Sequence, residues 1–473
     1  MSARPGAAKG ADAKAGANAV AVADEHTLDN PAVPALTRPR KARRLSVTED
    51  ELGSGLSVVV VRKPGVPLAE VRLRVPFLSG RRTHPARAAL LAEAMLAGAG
   101  GHDRAGLAAA IQGLGGDLSV GVDADRLVLG GNVLASNVAA FLRLIATVLV
   151  EPAYPKDDVA VERDRLVERL IIARSRPGVV AGEALARRMW GEHPYALSLP
   201  EPDAVATTSA AQLRALHAEQ VRPDGAVLVI VGDVSPARVL NHVHTAFEAW
   251  SGTQHAGRIP ALPALTVAPT LLVDRPGSVQ SSLRLGGAAV ARTDERYPAL
   301  QLANLIFGGY FSSRWTENLR EDKGYTYGPH SHVDHHILGS TLQLDAEVAT
   351  EVTAPAMLET RYELGRIASL PVLASELDAV RQYAIGTLAL STATQSGLAS
   401  TLAGLSAFGL GLDWVVEHPA RLQAVTVEDV SAAAAEYFAP ARLLEVIVGD
   451  AAVIREPLAA LGPIADAAPP DDA

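Results

Sequence analysis

The sequence has no cysteine among its 473 residues. That excludes a disulfide framework, a thiolate metal site and a cysteine nucleophile together, so any metal would need histidine and carboxylate ligands. Aromatic residues are scarce, at 4%, and no apolar run approaches the roughly 18 to 20 residues needed to cross a bilayer. The run at 58–61, VVVV, reads instead as a short buried strand. Sustained positive charge is missing after Arg44, and a net charge of -9 leaves no cationic field for a phosphate backbone. These absences predict a soluble protein, expected in the cytoplasm, with no nucleic-acid and no membrane partner.

The hydrophobic fraction of 48% is enough to fill two cores, and the length suits two domains of roughly 200 residues each. Residues 1–44 are rich in Ala and Gly and end in the basic run RPRKARR. In a secretory signal the cations precede the apolar stretch, whereas here they follow it, so the segment reads as a disordered tail. A long-period duplication organises the rest. A helix-like run from Thr208 leads to AVLVIVGDV, and one from Thr426 leads to LLEVIVGDA, which puts Gly232-Asp233 and Gly449-Asp450 about 217 residues apart. The entry strands GLSVVVVRKPG and TLLVDRPG also match. The predicted domains are 45–251 and 270–465, joined by a semi-rigid linker at 252–269 that carries Pro260, Pro263 and Pro269, with a second tail at 466–473. Amphipathic helices are expected at 87–97, 157–174, 298–306 and 375–392, with alternating strands at 280–285 and 340–348. Helices segregated onto mixed sheets give an α+β class.

The most specific stretch is 307–328, FGGYFSSRWTENLREDKGYTYG. Gly308, Gly309, Ser313, Arg314, Leu319, Arg320, Glu321, Gly324 and Tyr327 fit, without gaps, the pattern G-G-x-x-x-S-R-L-x-x-x-L-R-E-x-x-G-L-x-Y, departing at Trp315 and Tyr325. By residue type alone, Arg314, Glu317, Arg320 and Glu321 also suit a solvated, salt-bridged helix face. The full match resembles the M16 (pitrilysin-type, subfamily B) zinc peptidases, over roughly residues 46–460. The resemblance implies two homologous repeats, each a curved, mostly antiparallel sheet with helices packed on one side. It also implies that Arg320 and Tyr327 reach a bound peptide, with Gly308, Gly309 and Ser313 shaping the same substrate-binding segment. Those residue types suit that role. A tyrosine hydroxyl can donate to a carbonyl oxygen gaining negative charge, and an always-charged arginine can grip a neighbouring carbonyl.

The family's zinc helix, H-x-x-E-H, sets two imidazoles on one helical face beside a glutamate base. The matching helix here reads Leu90-Leu91-Ala92-Glu93-Ala94, and neither Leu90 nor Ala94 can coordinate a metal. The third ligand is a glutamate in a pattern close to E-R-x-x-V-x-x-E-L, and the stretch 162–170, ERDRLVERL, puts Arg169 there. Glu168 lies one residue away, about 100° round a helix. If the two helices pack as in the family, Glu93 and Arg169 face each other as an ion pair. The resemblance further places a substrate-pairing edge strand near 115–121, GGDLSVG.

One cluster keeps a metal reading open: His330, His332, Asp334 and His336 share a face if 330–336 is extended, with His335 opposite. The alternative is a polar strand face. The resulting expectation is a non-catalytic subunit that binds no cofactor itself, with peptide as substrate. Its partner is a homologous M16 subunit with an intact H-x-x-E-H, which holds the zinc. The rival expectations are a structural protein keeping the fold without proteolysis, and a self-sufficient metallopeptidase with a different metal site.

Overall fold

The structure is a computed structural model and describes residues 45–197, 199–253 and 259–467. The tail read at 1–44 lies outside the described residues, as do the last six residues. In the first half the strands are β1 (Ser46–Glu51), β2 (Ser57–Arg62), β3 (Leu68–Pro76), the two-residue pair β4 (Gly98–Ala99) and β5 (His102–Asp103), β6 (Asp117–Val122), β7 (Arg126–Leu134) and β8 (Val227–Gly232). The second half supplies β9 (Thr270–Asp274), β10 (Gln280–Ala289), β11 (His330–His336), β12 (Gly339–Ala349), β13 (Leu444–Gly449) and β14 (Ile464–Asp466). The stretch read as a C-terminal tail from 466 thus begins on the last residue of β14. Among the described residues no helix is long and apolar enough to cross a membrane.

The two large sheets run β1-β2-β8-β3-β7-β6 and β11-β12-β10-β13-β9-β14. Read from β2 and β9 outward, five strands follow one order in both. In each, the entry strand pairs parallel with the late strand, β2 with β8 and β9 with β13. Gly232 lies opposite Arg62 and Gly449 opposite Asp274, so the duplicated Gly-Asp ends the same strand twice. The helices leading into these strands start alike, with capping boxes at Ser209/Gln212 and Thr426/Asp429. The order leaves β6 and β11 as open edges.

Each sheet packs one face against helices of its own half. The continuous apolar run in β8, and β13 with every residue buried including Glu445, mark strands covered on both faces, and the second face is covered by a helix of the other half. Leu185, Met189 and Trp190, on the helix Pro177–Trp190, pack with Leu444 and Val446 of β13. Leu398, Ala399, Leu402 and Ala403, on the helix Gln395–Ser406, pack with Val61, Val229 and Val231. Polar contacts fix the second crossing. Arg72 donates to Ser396 Oγ at 2.9 Å and Ser400 Oγ at 3.2 Å, and Gln395 donates to the Lys63 carbonyl at 2.7 Å. A Cβ on Gly286 would lie 2.7 Å from Met189 Sδ, so the partner helix sits directly on the glycine. Ile259, Leu262 and Leu265 of the proline-rich connection pack against the first of these clusters, and 259–269 holds no helix or strand.

Burial makes this fold testable in two ways. Leu185→Ala and Leu402→Ala each remove a buried side chain from an exchanged helix, at a cost of about 2–5 kcal/mol. Denaturant unfolding is expected to show one transition shifted by either change; two transitions, only one of which moves, would contradict the exchange. The second test concerns pH. Burial pulls the pKa of His84, His217, His335 and His418 down to about 4. His217 Nε2–H donates to the Leu149 carbonyl at 2.8 Å and Nδ1 accepts from the Tyr154 hydroxyl at 2.9 Å, which suits the neutral ring. The unfolded chain takes up these protons near about pH 6.5 and the folded chain only near about pH 4, so stability falls as pH drops through that window. Thermal unfolding is expected to give a lower Tm at about pH 5 than at about pH 7, and an unchanged or higher Tm would refute it.

Candidate functional site

The segment singled out in the sequence is built from two wide turns. The helix Tyr297–Asn304 runs into a π-helical turn at Leu305–Gly309, and a second spans Glu317–Asp322. Such turns are rare and frequently sit at functional sites. Close packing explains the paired glycines. A Cβ on Gly308 would lie 2.8 Å from Ser331 Oγ and 3.0 Å from the Trp315 ring, and one on Gly309 2.6 Å from Asn304 Nδ2. Ser313 is buried, with its hydroxyl on Thr316 Oγ1 at 2.9 Å. Gly308 and Ser313 therefore shape the segment from within and present no open surface.

Two anchors hold this stretch to the core. Arg314 is 8% exposed and makes a bidentate pair with Glu376 at 2.8 and 2.7 Å. This is the strong, directional form of a charged hydrogen bond. Trp315 is fully buried, stacks on Phe307 at 5.3 Å and donates its indole N–H to Thr360 Oγ1 at 3.0 Å. Arg314 thus departs from a solvated helix face. Gly324, at φ +66°, ends the second π turn in the left-handed region, where a side chain would be strained.

Beyond these anchors Arg320 is partly exposed, with 28% of its side chain open to solvent. Its guanidinium lies 4.6 Å from the centroid of the Phe311 ring and 4.7 Å from that of Tyr327, in contact with both rings. Its Nε also pairs with Glu321 at 3.2 Å. Phe311 is 60% exposed and Tyr327 86%. Each exposed cation–π contact contributes about 0.5–1 kcal/mol, enough to orient a long side chain. Sequence reasoning missed Phe311, which stands at a variable position of the motif. Its one signal was an aromatic residue shortly before the motif's first arginine.

At the zinc positions, Leu90 and Ala94 are both fully buried in the core of the first half. Their helix, His84–Ala94, packs against the helix Lys156–Arg174, and Glu93 Oε1 meets Arg169 Nη2 at 2.6 Å. The ion pair expected from the sequence is present at the outer rim, with side chains about half exposed. Glu168 points to solvent. An alkyl chain and a methyl group have no donor atoms, and the one nearby carboxylate is committed to a guanidinium. The residues here do not fit a zinc ion. The strand expected near 115–121 is β6, an open edge.

The histidine cluster lies on β11, with the alternation expected. His330 and His332 stack at 5.6 Å, and His332 Nδ1 is 3.7 Å from Asp345. His336 sits 3.4 Å from Asp334 and 4.0 Å from Asp125; burial opposes its charge, but these carboxylates raise its pKa. His335, on the other face, packs against Tyr297 at 5.1 Å and bonds Ser340 Oγ at 2.7 Å. Among the described residues, no group of three or more His, Asp or Glu is placed to hold a metal ion.

Comparison with known proteins bears on this geometry. Residues 207–383, which include Arg320 and Tyr327, match the model of the peptidase M16 inactive domain. An uncharacterized zinc protease of Mycobacterium tuberculosis is 26% identical over 335 residues, 69% of this chain and 76% of that protein. A probable inactive metalloprotease of Bacillus subtilis, YmfF, is 28% identical over 206 residues, 41% of this chain and 47% of that protein. The crystal structure of a peptidase M16 inactive domain from Pseudomonas fluorescens superposes with a TM-score of 0.80 at 24% identity, covering 86% of this chain and 98% of that one. A protease from Helicobacter pylori gives a TM-score of 0.76 at 17% identity, covering 86% and 99%. With two repeats of one sheet order, and leucine, alanine and arginine where zinc ligands are expected, the chain has the fold of the M16 inactive domain and is similar in sequence to M16-type zinc proteases and to a probable inactive metalloprotease.

Proposed function

We propose that this chain is the substrate-binding subunit of a heterodimeric M16-type zinc metallopeptidase that cleaves peptides or leader sequences. One observation carries the reading: a chain unable to hold the metal at 90, 94 and 169 keeps a part-exposed Arg320 against an exposed Tyr327, directly after a segment anchored in the core. The partner is a homologous chain with an intact H-x-x-E-H, and the zinc belongs to that partner. Arg320 contributes a permanent charge and planar donors that suit a backbone carbonyl, which gives grip without selecting side chains. Tyr327 contributes one hydroxyl donor for the carbonyl oxygen on which charge develops. Phe311 positions Arg320 and touches no substrate in this scheme.

Peptide hydrolysis by this chain, by the partner and by their mixture tests the proposal. Activity is expected only in the mixture, with zinc found in the partner and no stoichiometric zinc in this chain. Tyr327→Phe in the mixture is expected to lower kcat roughly 100-fold, the usual cost of one such donor. Phe311→Ala is expected to lower kcat/KM by roughly 3- to 10-fold, the scale of one or two cation–π contacts, and by less than Arg320→Ala does. Full activity of the partner alone, or a mixture indifferent to Tyr327→Phe, would leave the chain a structural protein. Glu93→Gln, which breaks only the half-exposed ion pair, is expected to cost less than about 1 kcal/mol of stability by denaturant unfolding.

A further inference from the structure

A cavity of about 330 Å³ lies beside the helix Gln395–Ser406, on the face of the first sheet that this helix covers, over β3, β7 and β6. Among the described residues its wall carries two charges, Arg72 and Arg74, and no carboxylate. Arg320 and Tyr327 do not line it. The register sets two rows of side chains across it, Arg72, Gly130 and Ser119 in one and Arg74, Val128 and Gly121 in the next. The two arginines differ in the donors they have left. Arg72 is committed: beyond Ser396 and Ser400, its Nη1 donates to the Val71 and Gly131 carbonyls, both at 2.9 Å, and its Nη2 pairs with Glu70 at 2.9 Å. The Arg74 side chain makes no hydrogen bond to any described residue. Its one ion pair, with Asp123 at 3.6 Å, is longer than a charged hydrogen bond of about 2.7–2.9 Å, and 23% of the side chain is open to solvent. That pair also fixes its direction. Asp123 directly follows β6, so a guanidinium that reaches it from β3 leans across β7 toward the β6 edge.

A ligand meets Arg74 from that edge. β6 ends the sheet, and among the described residues no strand pairs with its outer side. Its unpaired N–H and C=O groups are a template for an extended chain. Ser119 and Gly121 are exposed on the Arg74 face, and a Cβ on Gly121 would have nothing within 4 Å, so the way from the edge to the guanidinium is clear. A strand added to β6 would lie three strand spacings from β3, about 14 Å away. An arginine leaning one way and a glutamate leaning the other together bridge that gap, and an aspartate, shorter by a methylene, bridges it less well. Charge agrees with reach. Arg126, on the same face of β7, adds a further cation beside Arg74, its Nη2 held by the Ala407 carbonyl at 2.9 Å.

We propose that this face selects acidic peptides: an extended segment pairs with β6 and sets a glutamate beside Gly121, where its carboxylate accepts from Arg74. The planar fork of a guanidinium matches a carboxylate, which makes Arg74 a specificity-determining residue. The inference rests on the reading of the chain as a peptide-binding subunit and adds a substrate class to it.

Binding to the full chain alone tests this, by the anisotropy of a short, capped polythreonine peptide that carries a neutral fluorophore and one central glutamate. The Kd is expected to be about 1 mM or tighter. Replacing the glutamate by glutamine is expected to weaken binding about 10-fold or more, the range of a hydrogen bond to a charged group. Aspartate is expected to fall between the two, and lysine to bind no tighter than glutamine. Arg74→Gln is expected to erase the preference for glutamate and leave the Kd of the glutamine peptide in place. Gly121→Val, which fills open space without touching the fold, is expected to reduce the preference at least about 3-fold. The glutamate peptide N-methylated along its backbone keeps its charge and loses its strand donors, and is expected to bind at least about 10-fold more weakly. No binding of the glutamate peptide at about 10 mM, equal Kd for the glutamate and glutamine peptides, a folded Arg74→Gln or Gly121→Val with the full preference, or undiminished binding of the N-methylated peptide would each overturn the proposal. No partner and no hydrolysis enter these measurements. Activity of the mixture without a glutamate preference sinks this inference alone, and a glutamate preference without activity in the mixture sinks the peptidase role alone.

Discussion

The reciprocal exchange of two helices between the halves is the constraint on which the rest of the molecule depends. The helix Pro177–Trp190 is made by the first half and buried by the second, while Gln395–Ser406 does the reverse. Each sheet therefore has a face that its own half leaves uncovered. Burying one leucine contributes about 1.5–3 kcal/mol, and Leu185, Leu398 and Leu402 are each at most 2% exposed. Separating the halves would expose both clusters at once, and the chain from Leu45 onward accordingly holds together as one unit.

The same coupling fixes the Arg320 segment. At its start Arg314 is tied to Glu376; at its end the chain passes into β11, whose hairpin tip is held by the first half. Asp125 accepts from the Ile337 N–H at 3.0 Å and from the Tyr195 hydroxyl, which in turn accepts from the Leu338 N–H at 3.3 Å. Burial and the adjacent Asp125 both push the Tyr195 pKa up, so its hydroxyl stays protonated and the link holds across the ordinary pH range. An exposed Tyr327 is thus placed by buried contacts on either side of it, from both halves.

Much of this was legible in the sequence, and what was missed has a physical reason. The repeated Gly-Asp announced the duplication because a strand terminus at a fixed place in a sheet reuses the same turn. The helices expected at 157–174 and 375–392 match Lys156–Arg174 and Ala374–Ser391 within a residue, since acidic first turns mark their starts. The exchange was harder to see. Its trace was the unbroken apolar run in β8, repeated in β13 except at Glu445, which says that both faces are buried but not by what. The π turns were invisible, because a change of hydrogen-bond register leaves composition untouched. Phe311 escaped for a related reason: its role is defined by Arg320 and Tyr327, 9 and 16 residues downstream, and only the wide turn brings the three together.

Stability explains one of the two altered features and not the other. Leu90 and Ala94 suit a helix packed into a core, and a chain without a metal gains from burying them; the rim pair of Glu93 and Arg169 needs only to be compatible with water. Tyr327 is the reverse case. A ring left 86% exposed contributes almost no burial, and holding Arg320 between two exposed rings orders side chains for little return in folding energy. The glycines, the buried Arg314 pair and the left-handed Gly324 all serve to hold that exposed group in one place. An arrangement that commits buried contacts to fixing a part-exposed arginine and an exposed tyrosine is not accounted for by folding energy, whereas leucine and alanine at 90 and 94 are.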